Sequence, residues 1–205
     1  MKIVHPEFEI LSPLDPPAML ARLERAGRTC YRSEDRISPN SARNFIKSLI
    51  KSGHHSVIEH ESISVRLVCD RGVSHELVRH RLASFSQEST RYVNYGRGPE
   101  GRGLVLVKPL FFPEGSETYR LWLAAMEAAE AAYLALTAAG ASAQEARTVL
   151  PNSLKTEMVM TANLREWRHV LALRCSAASH PQMREIMKMI LARFQELLPE
   201  VFGDI

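Results

Sequence analysis

From Arg79 to Tyr92 the chain reads Arg-His-Arg-Leu-Ala-Ser-Phe-Ser-Gln-Glu-Ser-Thr-Arg-Tyr, with three arginines, a histidine and several hydroxyls around few apolar residues. A stretch this polar is not there to fill a core. Arginine stays charged and presents a rigid fork of donors, so Arg79, Arg81 and Arg91 suit a phosphate or carboxylate, with His80 and Ser89 as neutral partners. The first chemistry expected is therefore anion binding. Two other readings compete. Phe85, Tyr92 and Tyr95 interleave with the arginines as the stacking platform of a nucleic-acid-binding module would require, and a solvated basic pair of strands would look similar. The choice of cation argues for forked recognition: residues 66–102 hold seven arginines and no lysine, in a chain with 20 Arg and 6 Lys.

Other polar residues cluster elsewhere. Gly53-His54-His55-Ser56-Val57-Ile58-Glu59-His60 concentrates three histidines and a carboxylate behind an expected helix end. Its spacing has neither the i, i+4 pair of a helical zinc site nor a cysteine partner, so no metal is expected. Arg165 and His169 stand four apart and share one face of a helix, while Trp167, Val170 and Leu171 anchor the other. Asn163 is placed to cap that helix, and Arg174 with Cys175 closes it. Arg147 precedes Leu150-Pro151. A thiol activated beside a cation can act as a covalent nucleophile, but Cys69 falls on the buried face of a strand and Cys30 ends a distant helix. Cys175 alone adjoins a cation, Arg174, which could lower its thiol pKa. Ser89 has no base beside it in the sequence.

The elements that must position these groups follow from periodicity. Lys2 to Leu11 reads as a first strand, and Pro16-Pro17 opens a helix carrying Met19, Leu20 and Leu23 inward and Arg22, Arg25 and Arg28 on a solvated face. A second helix begins after Ser38-Pro39, with Phe45, Ile46, Leu49 and Ile50 on one stripe and Gly53 as its stop. Ser62 to Cys69 alternates as a strand with Ile63, Val65, Leu67 and Cys69 buried. Val73 to Val78 forms a helix that delivers the Arg79 stretch, and Asn94 to Gly103 forms a mobile surface loop. Leu104 to Val107 is a short strand. Glu117 to Ala139 is a long helix, with Trp122, Met126, Tyr133 and Leu136 on one side and small residues that would let another helix approach closely. Ser142 and Glu145 make a capping box for a helix carrying Arg147. Lys155 to Ala162 is a strand, and a helix from Pro181 buries Met183, Ile186, Met187, Ile190, Leu191, Phe194 and Leu197.

At 205 residues, 45% hydrophobic and 24% charged, the chain can bury one sizeable core and reads as a single domain over residues 1–205. It contains no run of 18 apolar residues, and Met1-Lys2-Ile3-Val4-His5-Pro6 lacks the apolar segment of a signal peptide, so a cytoplasmic protein without membrane contact is expected. Three widely separated cysteines offer neither a disulfide framework nor a CxxC motif.

Arg79-His80-Arg81, seven residues, then Ser89 and Arg91-Tyr92 resemble the signature of the flavin-dependent thymidylate synthases (ThyX family). The likeness continues through Arg147 before Leu150-Pro151, Asn163-Leu164-Arg165, Leu173-Arg174 and Ser179-His180-Pro181-Gln182, so it covers nearly the whole chain. The resemblance implies an α/β fold of the α+β type, a central mixed sheet flanked by helices with no Rossmann motif, assembled as a homotetramer with sites shared between subunits. It implies the reductive methylation of dUMP to dTMP, with methylenetetrahydrofolate as one-carbon donor and FAD, reduced by NADPH, as the source of electrons. Nucleic acid is not a partner in this reading. The flavin set it implies is His54, Ser56, Arg79, His80, Arg81, Gln87, Asn163, Leu164, Arg165 and His169. The dUMP set is Glu76, Arg79, Gln87, Ser89, Arg91, Arg147 and Arg174, with Arg174 the catalytic group. Many relatives have Gln where this chain has Glu76, Glu where it has Gln87, and Asn where it has His169. A catalytically silent flavin-binding relative is a third reading.

Overall fold

Proline makes the first break in the pattern. The run from Lys2 to Leu11, expected as one strand, is divided into β1 (Lys2–Val4) and β2 (Glu7–Ile10), because Pro6 has no N–H to give to a ladder. The computed structural model describes residues 1–97 and 103–205, and the surface loop read from the glycines of residues 94–103 lies largely outside them. β1 pairs in parallel with β5 (Val105–Val107), Lys2 opposite Val105. β2 belongs to a four-stranded sheet of order β2-β3-β6-β4, with β3 (Ser62–Asp70), β4 (Ser84–Gln87) and β6 (Lys155–Asn163). In β3 Ile63, Val65, Leu67 and Cys69 are buried as expected, but the alternation ends after Leu67, since Val68 and Asp70 are buried too. β4 lies inside the arginine stretch, where four residues give too short an alternation to stand out.

The chain gathers into two units, the first made of Met1–Glu7, Leu67–Arg79 and Phe85–Val159. Here α3 (Arg71–Leu77) starts two residues before the expected helix because Asp70 caps it, accepting from the Val73 N–H at 2.8 Å. α4 (Glu117–Ala138), capped by Ser116, buries Trp122, Met126 and Tyr133 against Tyr95, Leu104, Leu106 and Leu154. Leu136, expected on that stripe, remains 37% exposed. By length and composition alone α4 could cross a membrane, yet Glu130 on it accepts from the Leu104 N–H at 2.8 Å and pairs with the terminal ammonium at 2.9 Å. These contacts are those of a packed core helix. The expected capping box of Ser142 and Glu145 opens α5 (Ala143–Ala146), and the helix then tightens into a 3-10 turn over Arg147–Val149 before Pro151.

The second unit comprises Phe8–Arg66, His80–Ser84 and Met160–Ile205. It holds α1 (Pro16–Thr29), α2 (Ser41–Lys51), a 3-10 helix over His55–His60, α6 (Leu164–Arg174), α7 (Pro181–Leu197) and α8 (Pro199–Phe202). Trp167 anchors α6: it is fully buried, donates Nε1–H to the Ile63 carbonyl at 2.9 Å and meets Phe194 edge-on at 5.3 Å. Each large apolar side chain taken fully from water contributes about 1.5–3 kcal/mol, which holds the polar face of α6 in place. α1 and α2 approach closely at Gly27, where a Cβ would stand 2.7 Å from the Phe45 ring. The solvated face expected for Arg22, Arg25 and Arg28 is interrupted at Arg28. Its guanidinium stacks 4.2 Å from the Phe45 ring centroid and pairs at 2.9 Å with Glu24, itself buried. A buried carboxylate has to be paired, and this one recruits the arginine.

Candidate active site

α6 brings its chemistry to one end. Arg174, its last residue, donates Nε–H to His80 Nε2 at 2.9 Å. A guanidinium has no acceptor, so that ring nitrogen must present its lone pair and the ring proton must sit on Nδ1. Nδ1 faces a Glu166 carboxylate oxygen at 3.4 Å. Carboxylate, neutral imidazole and guanidinium thus stand in line, with the His169 ring edge-on to His80 at 5.8 Å. His80 is buried despite its polar surroundings in sequence. Burial first, then the charges of Arg174 and His169, push its pKa down to about 4, so the ring is neutral at neutral pH. Burial also raises Glu166 above the ordinary carboxylate value, with His169 opposing.

His80, Glu166 and His169 offer ligand atoms within 4.8 Å of one another, a grouping that the sequence spacing did not suggest. Arg174 donates to His80 Nε2 and sets a positive charge beside the cluster, which disfavours a cation there.

The other residues of the second unit separate by role. His54, Ser56 and Arg165 line a cavity of about 400 Å³ with Tyr31 and Cys30. Arg165 also pairs with Glu59 at 2.5 Å, both side chains well exposed. Asn163 caps α6, its Oδ1 accepting from the Glu166 N–H at 2.9 Å. Leu164 is fully buried and gives its own N–H to the Glu61 carbonyl at 2.9 Å, so neither its side chain nor its N–H is open to a ligand. Arg81 is exposed and carries no ion pair among the described residues.

In the first unit, Arg147 lines a cavity of about 230 Å³ with Arg71 and Thr90. Ser89 Oγ accepts from the Arg91 N–H at 3.3 Å, and the Arg91 guanidinium lies 5.6 Å from the Tyr92 ring centroid. Gln87 Nε2 donates to Ser74 Oγ at 2.8 Å and Thr156 Oγ1 at 3.2 Å, tying β4 to its neighbours. Glu76 is half-buried. Arg79, Arg91 and Arg147 are exposed and unpaired with any acid among the described residues, whereas Arg22, Arg43, Arg120, Arg168 and Arg193 elsewhere each have a carboxylate. Exposed and without an acid partner among the described residues, Arg79, Arg91 and Arg147 could each take an outside anion.

Sequence reasoning missed Arg71 and Glu166. Arg71, the first residue of α3, donates to the Glu88 carbonyl at 3.3 Å. Glu166 had a signal, since Asn163 followed three residues later by Glu is a helix-start pattern. The nucleic-acid reading loses part of its platform: Tyr95 is buried, with its hydroxyl donating to Glu88 at 2.8 Å. The thiols also differ from expectation. Cys175 is half-buried and its pKa is raised by burial, against a smaller opposing effect of Lys188, and not lowered by Arg174. Cys69 is pushed up to about 12.

Exposed arginine forks, and an imidazole held between a carboxylate and a guanidinium, could grip an anionic ligand such as a nucleotide. Comparison with known proteins narrows this. The family profile described as thymidylate synthase complementing protein matches residues 16–200. The flavin-dependent thymidylate synthase of Mycobacterium avium is 37% identical over 202 residues, covering 90% of this chain and 78% of that one. That of Geobacter sulfurreducens is 34% identical over 197 residues, covering 93% and 82%. Among solved structures, the UMP/dUMP methylase PolB from Streptomyces cacaoi, bound with 5-Br dUMP, superposes with a TM-score of 0.77 at 25% identity, covering 99% of this chain and 96% of that one. The chain belongs to the flavin-dependent thymidylate synthase family.

Proposed function

We propose that this chain converts dUMP to dTMP, using methylenetetrahydrofolate as one-carbon donor with FAD and NADPH, and that it does so as a cytoplasmic homotetramer. The observation that carries the reading is the line Glu166–His80–Arg174 in a family member whose phosphate-type arginines are unpaired. Arg91 and Arg147 hold the dUMP phosphate, with Arg79, Ser89, Gln87 and Glu76 completing the nucleotide set. Arg174 polarises the uracil by stabilising the negative charge that develops on the ring; its own proton stays in place, because a guanidinium is too weak an acid to give it up. Glu166 sets the His80 tautomer, and His80 sets the direction of the Arg174 fork.

The residues fit the cofactor. A pyrophosphate and an electron-rich pyrimidine edge call for cations and polar donors, which His54, Ser56, Arg79, His80, Arg81, Gln87, Asn163, Arg165 and His169 supply, while Leu164 is fully buried. When bound and reduced by NADPH, the flavin would supply the two electrons that complete the methyl group. No thiol suits attack on the uracil: Cys69 is buried with its pKa near 12, and burial holds the Cys175 thiol protonated. The Ser89 hydroxyl, without a base, accepts from its own loop. Polarisation by Arg174 therefore takes the place of a covalent link to the enzyme. The homotetramer is favoured by Leu121 and Leu136, exposed on α4 beside its many alanines, and the cytoplasm by three free thiols.

The test is dTMP formation by FAD-loaded protein and by Arg174→Ala at saturating substrates. Loss of one preorganised electrostatic donor is expected to cost about 100-fold or more in rate, with FAD content unchanged. An Arg174→Ala variant working at the parental rate would overturn the assignment.

A further inference from the structure

Three arginines outside the sets above converge on a separate cavity of the second unit. It measures about 460 Å³, lies between α1 and α2, and is lined by Arg28, Arg32, Arg36, Tyr31, Asp35 and Phe45. Arg28 is part of the wall, neutralised by Glu24 and stacked on Phe45. Arg32 and Arg36 are exposed and have no ion pair among the described residues, so the cavity keeps a positive excess even against Asp35.

The backbone is also unusual here. Arg32 has φ 46°, the sole non-glycine residue with positive φ among the described residues. A side chain with a Cβ is disfavoured in that region, and here the conformation closes α1: Arg32 N–H meets the Thr29 carbonyl at 3.4 Å and Ser33 N–H the Arg28 carbonyl at 3.2 Å, the two bonds of a Schellman helix end. That cap fixes where the Arg32 side chain leaves the backbone, at the rim of the cavity. Tyr31 belongs to this cavity and also to the one lined by His54, Ser56 and Arg165. The basic cavity is therefore next door to residues assigned to the flavin.

We infer that the Arg32–Arg36 cavity holds the anionic tail of the co-substrate that works at the flavin. Its size suits a phosphoribose or a short run of glutamates and not a whole dinucleotide. Two sources share that chemistry: the glutamate carboxylates of the folate and the 2′-phosphate of NADPH. Arginine forks grip either one bidentately. The choice of these two sources rests on the proposed function; the preference for an anion rests on the cavity.

The experiment uses FAD-loaded full-length protein and the double variant Arg32→Gly with Arg36→Ala, because glycine suits the positive φ and protects folding. Each protein is titrated calorimetrically with NADP⁺, NAD⁺, and tetrahydrofolate as monoglutamate and triglutamate, beside assays of dTMP formation. FAD content and the KM for dUMP should match the parent. Binding of one co-substrate should weaken by about tenfold or more, as expected for the loss of a charged hydrogen-bond partner. Collapse of the triglutamate preference identifies the folate tail, and collapse of the NADP⁺ preference identifies the phosphate. Both preferences surviving unchanged, or a parent with neither, would overturn the inference. Should the double variant lose its fold, the two single variants make the same comparison. If the parent takes up no FAD and makes no dTMP, the proposed function fails by itself. Titration with inorganic pyrophosphate then decides the cavity alone: weaker binding by the variant sustains an anion site, and equal binding removes it.

Discussion

His80 couples the site to pH. Its pKa lies near 4 in the folded chain against an ordinary value of 6.5, so between those values the unfolded chain takes up a proton that the folded chain refuses. Stability therefore falls as pH drops through that window. Glu166 acts with the opposite sign but only close to the ordinary carboxylate range, since its raised pKa lets the folded form take up a proton first. Denaturant melts at about pH 7.5 and about pH 5 should differ by about 1–2 kcal/mol, and His80→Gln should flatten the difference. A His80→Gln variant with the parental slope would move the effect to other groups. Glu166 makes a second prediction. Glu166→Ala should release the His80 tautomer, seen by ¹⁵N NMR as loss of the single Nδ1–H form, and slow dTMP formation by about tenfold. Glu166→Gln, whose carbonyl can still accept from Nδ1–H, should keep more of the rate; equal rates in all three proteins would leave Glu166 a structural role only. At this scale the sequence showed residue type and little else. Arg79 and Arg91 stood out because arginine has few other uses in an apolar-poor stretch, and Arg147 because its surroundings resemble the family's. Glu166 was not, because its meaning depends on a histidine far away in the chain.

α6 shows how one element keeps a packing face and a polar face apart. Trp167, Val170 and Leu171 are fully buried, while Arg165 and His169 are exposed, and 3.6-residue periodicity alone was enough to separate the two faces. Asn163 stands at the start of both tasks. Asn163→Ala should cost about 1 kcal/mol through the lost cap. Asn163→Asp keeps the cap and removes the amide donor: weaker FAD binding at an unchanged melting temperature would assign it a flavin contact, and unchanged binding would leave it a cap alone. Strand boundaries were harder to read. β1 and β2 are separated by a proline that was visible but given too little weight, and β4 pairs through a ladder whose partner, β6, is some 70 residues away in sequence. Arg28 was misjudged because its partner, the buried Glu24, reads as a surface residue in an amphipathic pattern.

Across the whole molecule, each unit is assembled from three separated stretches of chain, so composition and linkers could not announce them. The family match nonetheless runs from residue 16 to residue 200. Motif spacing was legible over that whole length because the chemistry of an anionic nucleotide and an anionic cofactor requires arginines, and arginines were easy to find. Thiol chemistry was not, since burial decides it. Cys175→Ala should therefore keep FAD and make dTMP at close to the parental rate, and complete loss in a folded, FAD-loaded variant would restore a thiol nucleophile. The most direct measurement of the central claim is the visible absorption spectrum of the purified protein equilibrated with FAD, followed under anaerobic conditions as NADPH and then dUMP with methylenetetrahydrofolate are added. The expected result is a protein-bound flavin spectrum that bleaches with NADPH and returns as dTMP forms. A protein that binds no FAD, or a bound flavin that bleaches and returns without any dTMP, would contradict it.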